Sequence, residues 1–543
     1  MFALDYKINL IKMKKRFLYL LLSFGIISTG CKKYLDVNDN PNGPATADPA
    51  LYLPSIQNNA ALGIQFDARG LGPIVQNFVL NSTGLTFSPF EQHGYFAASD
   101  VGGDLWRNVY WKGGQNTQDV KNQAIAQKKW DILGSILAME AWSWQNLTDY
   151  HGEIIVKEAY DPLKNTFNYD SQDTVYAIVK RELLDAIGQL EKTNDAVGSP
   201  LFSKFDLIYK GNRDKWKKFA YALLAINAHH QIKKANYNPT EVINYIDQSF
   251  TSNADDALVP FTGSNSTDAN FFGPRRANMP NYLQSAFTVR LMDGTVFTVP
   301  DPRRYIILTP SNDSIYRGVA PFTGQSTAVS ESKTGVKNIW GAISGVTPGI
   351  GTGKYLFKDD APFPLVTYSM LQFIKAEAAL KKGDPAVALD AYKKGINASL
   401  DFVRKGGTAP GSSVSGGAYA FSSDATANSQ FDSLRTIFLN NPAVIPTSAA
   451  NLTIQQIMLQ KYIALWGYGF IETWVDLRKF DYDPAVFPTF QLPTTLFNAN
   501  NGKPAYRVRP RYNSEYIWNV EALTKIGGFE PDYHTKKMWI QLP

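Results

Sequence analysis

Two carboxylates four residues apart, Glu472 and Asp476, share one face of a helix, with Arg478 on another side. Such a pair could carry acid–base chemistry, but salt links between packed helices are the favoured role for them. Metal chemistry has little to draw on. The histidines are His93, His151, His229, His230 and His534, with no His-Glu-x-x-His pair, and one cysteine excludes a cysteine-based zinc site. His229 and His230 are adjacent and so point to different faces of their helix. Residues 349–355 look like a phosphate loop, but Pro348 occupies the required first glycine and Tyr355 replaces the hydroxyl that would hold magnesium. Gly-x-Ser-x-Gly is absent. What remains is binding chemistry. Aromatic faces cover the apolar C–H surface of a sugar ring or peptide side chain, while Arg and Asn fix its orientation. Two regions supply that mixture: Phe87, Phe90, His93 and Tyr95 ahead of Trp106, and Phe271, Phe272, Arg275, Arg276, Asn278 and Tyr282 further along. Trp106 and Tyr110, one helical turn apart, read as core packing.

The cysteine, Cys31, has chemistry of another kind. Lys14, Lys15 and Arg16 precede an apolar run from Phe17 to Ile27, and Ser28-Thr29-Gly30 leads into the thiol. The run is shorter than the ~20 residues of a membrane helix. The segment resembles a bacterial lipoprotein signal, which implies cleavage after residue 30 and acylation of Cys31. Residues 1–30 are therefore read as the signal, with Met13 as the start, and 31–50 as a polar lipidated tether. Removing residues 1–30 removes five of the 54 Lys and Arg and one of the 48 Asp and Glu, lowering the formal charge from +6 to +2. A near-neutral body without a basic tract lacks the electrostatic signature of nucleic-acid binding. With no second cysteine after Cys31, stability must come from packing.

Amphipathic helices would have to position these groups. Periodicity predicts helices from near Trp106, over 129–150, from Ser171 or Asp173 to Leu190, and over 214–230. Residues 235–365 form a loop-rich excursion, with short strands expected at 287–291 and 295–299. Residues 405–430, dominated by Gly, Ser, Ala and Thr, read as an insertion. Helices 366–382 and 385–403 meet at Gly383-Asp384-Pro385. Ala376, Ala378, Gly383, Ala388 and Tyr392 are spaced like the packing positions of a tetratricopeptide hairpin. A last helix is expected from Ile454 through Arg478.

Four segments in order, Cys31-Lys32-Lys33-Tyr34-Leu35-Asp36, Leu105-Trp106-Arg107-Asn108-Val109-Tyr110, Lys375 to Gly383, and Glu472-Thr473-Trp474-Val475-Asp476-Leu477-Arg478, resemble the SusD/RagB family. Gly467 to Arg478 is the most distinctive run. Arg509-Pro510-Arg511-Tyr512-Asn513-Ser514-Glu515 is similar to the divergent SusD-like branch. The resemblance implies a mainly α fold, a scaffold of four tetratricopeptide-like helical pairs with a loop-rich, partly irregular ligand-binding region, filling a single domain over 51–543. It also implies a nutrient-binding lipoprotein of the outer membrane, facing the cell exterior, that takes oligosaccharides or peptides and acts as a lid on a SusC-type TonB-dependent transporter. No cofactor, no metal and no catalysis are implied. The Cys31-Lys32-Lys33 start lacks the acidic run associated with surface export. A glycan-degrading enzyme and a helical-repeat assembly scaffold are the alternative readings.

Overall fold

Glycines, prolines and capping side chains decide where the helices of this chain start and stop. In the computed structural model, residues 47–193, 197–405 and 425–543 are described. Cys31, the tether up to residue 46 and residues 406–424 of the expected insertion lie outside them. Pro49–Pro543 forms one compact unit.

The long helices are α1 (Leu53–Ile74), α2 (Gly114–Ala126), α3 (Trp130–His151), α4 (Gln172–Glu191), α5 (Arg213–His230), α6 (Pro239–Asp247), α7 (Tyr368–Lys382), α8 (Pro385–Arg404), α9 (Ala425–Leu439), α10 (Ile454–Leu465) and α11 (Phe470–Lys479). The α3/α4 and α7/α8 pairs are the most extensively packed. At the α7/α8 turn, Gly383 adopts φ +83°, Asp384 accepts from the Val387 N–H and Pro385 opens α8. Ala376, Ala378, Ala388 and Tyr392 are all fully buried, as the hairpin spacing predicts. The Tyr392 hydroxyl donates to the Val444 carbonyl at 2.8 Å. The fold is thus the mainly α, tetratricopeptide-type scaffold that the sequence implies.

Several elements differ from expectation. Helix α1 has no counterpart in the sequence reading, because Gly63, Gly70 and Gly72 dilute its apolar stripe. Those glycines are close-approach points: a Cβ on Gly72 would come within 2.3 Å of the Phe78 ring. The expected strand at 287–291 is instead the helix Ala286–Met292, started by Ser285 Oγ accepting from the Thr288 N–H at 3.0 Å. No strand forms over 295–299, where turns follow Gly294 at φ +101°. Residues 425–430 of the expected insertion belong to α9. The long helix expected from Ile454 to Arg478 is broken into α10 and α11. Gly467 at φ +87° turns the chain there, and Asn77 fixes the break by accepting from the Gly467 N–H with Oδ1 and from Trp466 Nε1 with its carbonyl, both at 2.9 Å.

Strands are few and short. β1 (Phe78–Leu80) pairs antiparallel with β3 (Tyr282–Gln284), and β2 (Ala257–Val259) with β4 (Phe363–Val366).

The helical pairs are joined through a buried ionic chain. His230 on α5 lies between Asp149 on α3 (3.0 Å) and Glu472 on α11 (2.7 Å). Lys461 on α10 bridges Glu472 and Asp476, and Lys479 bridges Asp476 and Glu377 on α7, to which His229 is hydrogen-bonded at 2.8 Å. Burial opposes a charge on His230, but Glu472 and Asp149 together hold its pKa up at about 9. Burial dominates at His229 and lowers its pKa despite Glu377. Glu472 and Asp476 are therefore consumed as helix-to-helix links.

Candidate ligand-binding site

The β1–β3 ladder lies beside the C-terminal half of α1, and its open end gathers three loops, 81–94, 271–281 and 338–346. Leu80 is paired with Tyr282, so Asn81 and Asn281 emerge side by side. The Asn81 N–H donates to the Asn281 carbonyl at 2.9 Å, and Asn81 Nδ2 reaches Asn281 Oδ1 (3.3 Å) and Ser344 Oγ (2.9 Å). Asn338 Nδ2 donates to the Val346 carbonyl at 2.8 Å, and Trp340 Nε1 to the Phe272 carbonyl at 2.7 Å. These bonds hold irregular backbone in place without a sheet beneath it.

Arg69 is the centre of this face. Its guanidinium lies 4.0 Å from the ring centroid of Phe66, 4.7 Å from Phe87 and 5.1 Å from Phe271. Burial lowers its pKa, opposed by Tyr282, Asp67 and Asp104. Phe66, Arg69 and Phe87 are partly exposed, and Phe271 is buried. The result is a cluster of three aromatic rings around one planar cation, tied through the Tyr282 hydroxyl on the Arg69 carbonyl to the ladder whose open end carries the Asn81–Asn281–Ser344 hydrogen bonds. Such a patch offers stacking surface and directional hydrogen bonds, and no arrangement that would activate a nucleophile.

The structure brings the two aromatic loop regions together, through Phe87 and Phe271, but reassigns most of the rings. Phe272 is fully buried, stacked on Phe357 at 5.0 Å. Tyr282 is buried edge-on to Phe78, and its hydroxyl donates to the Arg69 carbonyl at 3.1 Å. Phe90 packs beneath Gly70 and Gly102. His93 is buried, its Nδ1 accepts from the Ala505 N–H at 3.2 Å, and burial next to His534 lowers its pKa to about 3. These four are core, because each ring finds an apolar or hydrogen-bonding partner inside the body.

Among the polar residues, Arg276 spends its Nε and Nη2 on the carbonyls of Ala269 and Thr267 (2.8 and 2.9 Å), and Asn278 Nδ2 donates to the Phe271 carbonyl at 3.1 Å. Both shape the 267–278 loop. Arg275 is half-buried, its backbone N–H on Asp359 Oδ1 at 2.8 Å. Tyr95 belongs to a different place, under the Arg509 guanidinium at 4.1 Å and against Phe497 and His534. Phe66, Arg69, Asn81, Asn281 and Ser344 were not singled out in the sequence. The signal available was Phe66 and Arg69 at i, i+3 on α1.

Helical pairs bearing a loop-built face of aromatic and amide side chains define a helical scaffold protein. The chain belongs to the SusD-like family, whose model, described as starch-binding and associating with the outer membrane, matches residues 44–510. A SusD/RagB family protein from Bacteroides thetaiotaomicron shares the fold with a TM-score of 0.65 and 22% identity, over 91% of this chain and 99% of that one. A chitin-binding SusD homolog from Flavobacterium johnsoniae superposes with a TM-score of 0.68 at 20% identity, covering 91% and 99%. A further chitin-binding protein gives 0.63 and 21%, covering 91% and 100%. No curated protein matches the sequence. Among the described residues no helix is long and apolar enough to cross a membrane.

Proposed function

We propose that this protein is a nutrient-binding lipoprotein of the outer membrane, anchored through Cys31, that captures oligosaccharides at the Arg69 face and passes them to a SusC-type TonB-dependent transporter without chemical conversion. The observation that carries the reading is the convergence of Phe66, Phe87 and Phe271 on Arg69, with Asn81, Asn281 and Ser344 at the open end of the adjoining ladder. Aromatic faces cover the C–H face of a pyranose, and amides and the hydroxyl meet its equatorial oxygens. The starch-binding description of the family and the chitin-binding relatives favour a glycan over a peptide. Arg275 and Asn278 stand at the margin of the face, as supports of its 271–281 loop.

Calorimetry with starch- and chitin-derived oligosaccharides and a peptide panel tests this. Saturable glycan binding, weakened in Phe87→Ala and without released product, is expected. Product formation or peptide-only binding would reject it.

A further inference from the structure

A second cleft, about 180 Å³ in volume, lies between residues 95–103 and 508–529. It is smaller than the ~300 Å³ at which pockets for drug-sized ligands begin, a size that suits a single ring. Its walls are aromatic. Tyr512 and Tyr516 are stacked with centroids 5.5 Å apart, Phe529 stands edge-on to Tyr516 at 5.3 Å, and Tyr95, Phe96, Ser99 and Asp100 also line the cleft.

Two guanidinium groups line the same cleft, Arg509 and Arg511. Asp100 is ion-paired with Arg511. Arg509 donates to the Tyr516 hydroxyl (3.1 Å) and to the carbonyls of Gly528, Glu530 and Pro531, and among the described residues no carboxylate lies within 4.0 Å of it. The Glu530 carboxylate is taken by Lys536. The fold therefore leaves one positive charge in the cleft without a counter-ion.

Aromatic walls, room for one ring and an unbalanced cation define a ligand by its chemistry. We propose that this cleft is a second binding site, separate from the Arg69 face, for a single ring bearing a carboxylate, as found in a uronic acid residue or an aryl acid. The inference does not depend on oligosaccharide capture at the other face.

The test is calorimetric titration of the full-length protein in detergent with glucuronate, benzoate and glucose. Saturable binding of glucuronate or benzoate, and none of glucose, is expected, and the tighter of the two acids identifies the source of the ring. Ala97→Glu, which places a carboxylate on an exposed position of the lining, should abolish acid binding. Tyr512→Ala should weaken it by about three- to tenfold, the range of one aromatic contact. Neutral oligosaccharide binding should be unchanged in both variants, which separates this site from the Arg69 face. Absence of saturable acid binding, equal binding of glucose, or acid binding unchanged in both variants would overturn the proposal.

Discussion

A ring beside an arginine reads the same in sequence whether it faces solvent or the core, and the structure separates the two cases. Phe87→Ala, on the Arg69 face, should cost about 0.5–1.5 kcal/mol of glycan binding with little change in thermal stability. Phe272→Ala should behave oppositely, losing about 3–5 kcal/mol of stability from a fully buried site. Denaturant titration alongside calorimetry distinguishes them. His230 carries a second residue-scale prediction. Its folded pKa of about 9 exceeds the ordinary 6.5, so its contribution is fully present below about pH 6.5 and is lost as pH rises through about 9. Glu472 is held well below 4.5, because Lys461 and His230 outweigh its burial, and its contribution is lost in the opposite direction, as pH falls. His230→Gln should therefore destabilise the scaffold by about 3–5 kcal/mol near pH 6, leaving Glu472 and Asp149 short of a buried cation. The loss of stability between pH 6.5 and 9 should be smaller in the variant than in the wild type, as read by thermal unfolding at each pH.

At the scale of elements, what was legible depended on whether the chain carried its own punctuation. Gly383-Asp384-Pro385 is a helix stop and start in three residues, and α7 and α8 fall where it places them. α3, α4 and α5 were legible from their apolar stripes. α1 was not, since its glycines serve neighbouring rings rather than its own helix, and the Arg69 face went unseen with it. The 286–292 segment has the β-branched and aromatic composition of a strand, and only the Ser285 cap favours a helix. The α10–α11 break shows the same competition: periodicity continues across 466–469, and a single left-handed glycine held by Asn77 overrides it. Gly467→Ala should cost about 1–2 kcal/mol from the left-handed backbone, with further cost from a Cβ 3.2 Å from the Phe357 ring. A chemical-denaturation midpoint equal to that of the wild type would show that the break does not depend on glycine.

For the whole molecule, the scaffold and the loop face have separate tasks in the proposed function: the buried ionic chain and aromatic core hold helical pairs together, and three stitched loops at one end of a short ladder present the proposed recognition surface. The proposed anchor at Cys31 would make capture a membrane-surface event, so Cys31→Ala should move the protein from the membrane to the soluble fraction on cell fractionation. Gentle detergent extraction should recover the wild type with a β-barrel transporter partner, and recovery of the lipoprotein alone would remove support for the lid role. The central claim, that a glycan is held at the Arg69 face, is tested most directly by hydrogen–deuterium exchange of the protein with and without a saturating starch- or chitin-derived oligosaccharide. New protection is predicted in residues 81–94, 271–281 and 338–346 and in the C-terminal half of α1, with the α3/α4 and α7/α8 pairs unchanged. Protection confined to the helical pairs, or none at saturation, would contradict it.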